Sequence, residues 1–349
     1  MNVRNAPSST HLTATMAIIL AIAAPARAQE QKQEHTWLQP DLASAAKAEG
    51  ALTVYGSMNE QEALPLWKVF EDATGVKVSY VRSSDTQIMA KVAIENRAGQ
   101  HTWDIAFTTT VPQLPQAYLA PFDPLEAKGL MAEARDPHGR WYGGYANYNA
   151  PAYNTNFVKA ADLPKRYDDF AAHKEWAGKI AIDDTDDEWL AAICAAYGNE
   201  RGQALVKSIV AALDPAVTDG HLALARSVGA GEYWLALNNF LPLTLNVKMS
   251  GGPTDFWLIE PVPLIFGAVG VNVLAPHPNA AKLAGNFVLS QEAESFMTRK
   301  GRLPTRPDVA TNPPEVGEML KHAKIMPVVF SGDDQKKWQR TFGDLFGRR

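Results

Sequence analysis

The chain has 349 residues, 46% of them hydrophobic, a formal net charge of −5 and one cysteine. That length and apolar content suit two domains of ordinary size with full cores, and the acidic balance excludes a phosphate backbone as partner, so no nucleic acid is expected. A lone cysteine excludes an internal disulfide framework, and Cys194 reads as a small buried apolar residue.

The N-terminus opens with Arg4 and His11 ahead of an apolar stretch from Met16 to Ala26, closed by Ala26-Arg27-Ala28 and then Gln29-Glu30. This is the pattern of a secretory signal peptide over residues 1–28, cleaved after Ala28. The run is about half the roughly 20 residues a membrane helix needs. No cysteine follows the cleavage point to carry a lipid. Cleavage leaves 321 residues with a net charge of −7, because Arg4 and Arg27 leave with the signal. A leader is expected over 29–50, with the folded body beginning near Trp37.

Next comes a repeated order of strand, polar turn and helix. Ala51 to Tyr55 is a predicted strand. Gly56 to Asn59 is its turn, and Glu60 to Ala73 a helix with Ala63, Trp67 and Phe70 on one face and Gly75 as its stop. Val76 to Val81 is a second strand, Arg82 to Asp85 a turn, and Thr86 opens another helix. Asn59 with Glu62, and Ser84 with Gln87, have capping-box spacing. Trp103 to Phe107 is a third strand, running into Thr108-Thr109-Thr110 with Pro112 in the next first turn. Successive strand-helix units predict an α/β fold with a parallel sheet covered by helices. Ligands in such sheets sit beyond the carboxyl ends of the strands, where helix N-termini offer unpaired donors. Ser57, Asn59, Ser83, Ser84, Thr108 and Thr109 all fall on that edge. Each reads either as an ordinary helix cap or as a contact to a polar ligand.

Beyond Trp141 the stretch "WYGGYANYNAPAYNTNFV" is rich in Tyr, Asn and Gly and reads as extended chain. "DDTDDE", Asp183 to Glu188, follows the strand Lys179 to Ile182. Its alternating acids suggest a calcium loop, but Trp189 stands where that loop needs Gly. Most of these acids suit the N-terminus of a helix over Asp187 to Tyr197, where they complement its dipole. "LALNNFLP" interrupts an apolar run with Asn238 and Asn239, readable as a cap or as hydrogen-bonding arms beside a Phe240 wall. No G-x-S-x-G, P-loop or G-x-G-x-x-G is present, and the eight histidines show no metal spacing, so neither catalysis, cofactor nor resident metal is expected. His35, His138 and His322 read as surface residues.

Tyr153-Asn154-Thr155, Asp162-Leu163-Pro164, Trp176-Ala-Gly-Lys179-Ile180, Ala275-Pro-His-Pro-Asn279-Ala-Ala-Lys282 and Leu289-Ser-Gln-Glu292 form a combination. It resembles the extracellular solute-binding proteins of family 1, in the ferric-binding branch of the receptors that serve bacterial ABC importers. The resemblance implies a two-lobed type II periplasmic binding protein with two crossover strands. Residues 51–144 and 264–349 would mostly form lobe 1 and 145–263 lobe 2, with crossovers near 145–153 and 255–263. It further implies a periplasmic, monomeric receptor that closes about a hinge on a small solute and delivers it to an inner-membrane ABC permease.

The branch carries two adjacent tyrosines for iron at the head of a second-lobe helix, which correspond here to about Asn239 to Leu241. Neutral carboxamides are poor ligands for a hard trivalent cation. Many relatives place arginines in the first crossover, where this chain has Ala146, Asn147 and Asn149. The expected cargo is therefore a small polar organic solute, neutral or partly cationic, with Tyr145, Asn149, Asp183, Asp184, Asn238, Asn239 and Glu260 joining the turn residues as its contacts. The alternatives are a ferric receptor using Tyr145 or Tyr148 with a synergistic anion, and a secreted α/β enzyme.

Overall fold

The computed structural model describes residues 35–330 and 332–347. The signal-peptide expectation falls outside them. Among the described residues no helix is long and apolar enough to cross a membrane.

Helix α1 (Pro40–Glu49) begins at a proline and ends at the left-handed Gly50, φ 75°. It lies inside the stretch read as a leader, and buried Trp37 just before it stacks among Phe70 and Phe287. Strand β1 (Ala51–Gly56), α2 (Glu60–Thr74), β2 (Lys77–Arg82), α3 (Asp85–Arg97) and β3 (Ile105–Thr108) follow the predicted alternation closely. β1 pairs in parallel with both β2 and β3. A two-residue strand, β4 (Leu119–Ala120), and several 3-10 turns lead to β5 (Trp141–Asn154), the long extended stretch foreseen from its Tyr and Asn content.

β6 (Ile180–Asp183), α4 (Asp187–Tyr197), α5 (Asn199–Leu213), β7 (Ala216–Thr218), α6 (His221–Ala230), β8 (Leu235–Phe240), α7 (Leu241–Met249) and β9 (Thr254–Phe256) make the middle of the chain. β10 (Val262–Asn272), α8 (Pro278–Val288), α9 (Gln291–Thr298), α10 (Pro314–Lys321), β11 (Ile325–Pro327) and α11 (Gly332–Phe346) complete it.

The strand order is β2-β1-β3-β10-β5-β8-β6-β7, with β4 and β11 on β10 and β9 on β5. β5 is shared. Its residues 141–148 pair with β10, and 149–154 pair with β8 and β9, so one strand threads two lobes. The chain passes back over residues 257–261, between β9 and β10. Each lobe has its own apolar core. One gathers Phe70, Trp103, Phe107, Phe266 and Phe287, the other Tyr167, Phe170, Trp189, Ile193 and Cys194. Cys194 is buried as expected, and burial pushes its thiol up to about 11. The C-terminal helix α11 packs against α4 and α5, placing Phe342 in the second core, whereas the sequence reading assigned 264–349 mostly to the first lobe.

Candidate binding cleft

A cleft of about 790 Å³ lies where β1, α3 and β3 face β6, α6 and β8. Its first wall comes from the turns after β1 and β2 and from Thr109. Ser57 donates to Thr108 Oγ1 at 3.2 Å, and Thr108 in turn donates to Asp85 at the head of α3. Protein surrounds Asp85 closely although part of its surface stays open to the cleft, and this crowding raises its pKa against the pull of the neighbouring hydroxyls.

Tyr145 projects from β5 into the same cleft. Its ring lies against Gly267 of β10, where a side-chain carbon would overlap the ring. The Arg302 guanidinium sits 4.8 Å from the ring centroid and its Nε donates to Glu62 at 2.8 Å. Burial pushes the Tyr145 hydroxyl up to about 12 despite that arginine. Tyr148 is also pushed up to about 12 by burial, and it does not line the cleft.

The second wall is acidic. Asp183 ends β6 fully buried, with Oδ1 accepting from Thr185 Oγ1 at 2.6 Å and from Thr185 N at 3.1 Å. Among the described residues its Oδ2 has no hydrogen-bond partner. Asp184 and Asp219 line the cleft beside it. His221, the first residue of α6, is 8% exposed. It stacks on Phe240 with ring centroids 3.7 Å apart. Its Nε2 is 3.6 Å from Asp183 Oδ1 and 3.8 Å from Asp186 Oδ1. Burial opposes charge on the ring, but Asp183 and Asp186 outweigh it and leave the His221 pKa raised. Burial likewise pushes Asp186 and Asp187 up to about 7 and Glu188 well above its ordinary range. Glu188 accepts from Gln113 of the first lobe at 3.1 Å, a bond between the two lobes.

The sequence-predicted residues divide. Ser57, Asn59, Ser84, Thr109, Tyr145, Asp183 and Asp184 line the cleft. Ser83 turns to Gln87 instead, and Thr108 lies one layer back beneath Asp85. Asn149 is buried in β5 outside the cleft, its amide atoms without hydrogen-bond partners. Asn238 and Asn239 lie within β8, which runs on through them to Phe240, so both are fully buried behind the wall. Neither caps α7 in the usual sense, since Phe240 holds that position without a side-chain bond. Glu260 is exposed and accepts from Lys324 N at 3.1 Å, away from the cleft, because the loop carrying it turns toward β11. The Asn59 and Glu62 capping box does not form, as Glu62 is committed to Arg302. Ser84 does cap α3, through Gln87 N.

His221 carries no sequence signal of its own, since its partners lie 35 or more residues away in β6 and the turn after it, or 18 residues away in β8. Glu60, Asn147, Arg82, Arg226 and the apolar side chains Leu222, Phe240 and Leu243 also line it. Among the described residues no three His, Cys, Asp or Glu side chains are grouped to hold a metal ion.

Known proteins agree with this architecture. Residues 113–330 match the model of the family described as bacterial extracellular solute-binding protein. The Fe(3+)-binding periplasmic protein of Serratia marcescens is 25% identical over 196 residues, which span 54% of this chain and 57% of that protein. Iron-bound HitA from Pseudomonas aeruginosa superimposes with a TM-score of 0.70 at 20% identity, over 84% of this chain and 99% of its own. AfuA from Actinobacillus pleuropneumoniae, with fructose-6-phosphate bound, gives 0.74 at 21% identity over 86% and 99%. The structural likenesses establish the fold, two lobes of the type II periplasmic binding kind. The chain belongs to the bacterial extracellular solute-binding proteins, and its place is the periplasm.

Proposed function

We propose that the chain is the periplasmic receptor of an ABC importer, closing its two lobes on a cationic cargo that it passes to an inner-membrane permease. One observation carries the charge of the cargo. Five carboxylates line the cleft from both walls, Glu60 and Asp85 on one and Asp183, Asp184 and Asp219 on the other, against three arginines, Arg82, Arg226 and Arg302, and no lysine among the described residues. Arg302 is already paired with Glu62. Hard oxygen donors of this kind suit a hard metal ion. The relatives favour ferric iron over the organic solute expected from the sequence, since the Serratia protein and several solved structures are named for iron. Iron would be held here by carboxylate oxygens as the walls close, with no tyrosine pair at the head of α7 to bind it.

A second reading rests on a specific feature. Leu222, Phe240 and Leu243 make an apolar corner beside the acids. A bare ion has no use for that corner, and an organic cation does. Titration with ferric nitrilotriacetate, followed by competition with organic cations, separates the two readings. Saturable one-to-one uptake of iron that is lost in Asp85→Asn supports the first reading. Iron left in solution, with one-to-one uptake of an organic cation, supports the second.

A further inference from the structure

Among the described residues the two ring nitrogens of His221 meet only oxygen atoms. The carboxamide oxygen of Asn239 lies 3.1 Å from Nδ1 and also accepts from Phe240 N at 2.9 Å, while Asn239 Nδ2 points to Thr244 Oγ1 at 3.4 Å. These contacts fix the amide's orientation, so Nδ1 must donate. On the other side, Nε2 is 3.4 Å from Thr185 Oγ1. Thr185 has one hydroxyl proton, and Asp183 Oδ1 receives it. Nε2 therefore donates as well, to the Thr185 oxygen, with Oδ1 of Asp183 and of Asp186 in ion-pair range at 3.6 and 3.8 Å. Through Thr185 the ring links the buried amide of β8 to Asp183, a cleft residue whose Oδ2 is buried and, among the described residues, without a hydrogen-bond partner.

We propose that His221 is a positioning residue for cargo binding: held by Asn239 at Nδ1, it fixes Thr185 through Nε2 and with it Oδ1 of Asp183, and so presents Oδ2 to the cargo. The proposal rests on the reading of the cargo as a cation. It gives the amide at 239 a role that neither a helix cap nor a direct contact supplies. The geometry separates the two ring nitrogens, and that separation is testable. A glutamine side chain places its amide nitrogen where Nε2 was, and an asparagine places its own near Nδ1.

The experiment compares His221→Gln, His221→Asn and His221→Leu for uptake of ferric nitrilotriacetate, with thermal melts to confirm folding. The expected result is His221→Gln within about threefold of the parent, and losses of about tenfold or more for His221→Asn and His221→Leu. Equal affinities across the three variants, equal losses, or Leu serving as well as Gln overturn the proposal, because a ring that merely fills space beneath Phe240 is replaced as well by Leu as by Gln. A parent that takes up no iron counts against the cargo reading and not against His221. The crystal structures of the same variants then decide. Asp183 kept in place by Gln and rotated in Asn sustains the positioning role, and an unmoved Asp183 in both refutes it.

Discussion

Asn238 donates from Nδ2 to Asp186 Oδ1 at 2.7 Å, fully buried beneath the cleft wall. The bond explains why a carboxamide stands at the end of an apolar strand. Asp186 sits in the turn ahead of α4, 1% exposed, and needs a donor there. Asn238→Ala leaves that oxygen without its partner, which costs about 1–3 kcal/mol. Urea unfolding of the variant should show a loss of that size. Unchanged stability would mean that the pair contributes nothing.

Glu62 and Arg302 form a buried pair, with side chains 11% and 8% exposed, next to the Tyr145 ring. Removing one partner strands the other charge and costs about 3–5 kcal/mol, whereas replacing both by apolar groups of similar volume is often nearly neutral. Glu62→Leu and Arg302→Met should therefore each destabilise strongly, and the double variant that combines them should be more stable than either. Simple addition of the two losses in denaturant titrations would contradict this account of the pair.

Glu294, at the start of α9, is fully buried, and burial pushes it from 4.5 up to about 8. The hydrogen bonds agree. Thr305 Oγ1 bonds both Gly143 O and Glu294 Oε1, and with one hydroxyl proton spent on the carbonyl, the carboxyl must supply the other. Oε2 accepts from Thr305 N and Arg306 N. The folded state thus keeps a proton that the unfolded chain releases above 4.5, so stability falls as pH rises from there through about 8 and then levels. A tenfold difference in proton affinity between the folded and unfolded chain is worth about 1.4 kcal/mol. Glu294→Gln, which mimics the protonated acid, should flatten this part of the stability profile. A profile of Glu294→Gln as steep as the parent's would refute the assignment.

Local grammar made most of the fold legible. Helix α2 was expected over Glu60 to Ala73 and runs to Thr74, stopped by Gly75 at φ 76°, and α4 matches its expected bounds. The end of β8 was less legible. Asn238 and Asn239 look like strand terminators, but Asn238 Nδ2 donates to Asp186 and Asn239 Oδ1 meets His221 Nδ1, both from other elements, and the strand continues through them. The same long-range pairing hid His221, whose neighbours in sequence say nothing about Asp183. Glu260 was placed in the cleft because a crossover was expected there, yet the direction of a loop side chain depends on the strand that receives it, here β11.

The most direct test of the acidic cleft as a cation site is native mass spectrometry of the protein exposed to ferric nitrilotriacetate and to organic cations, beside Asp85→Asn and Asp183→Asn. The account predicts one bound cation per chain in the parent, reduced in both variants. An anionic or neutral molecule bound instead, or cation occupancy untouched by either substitution, would contradict it.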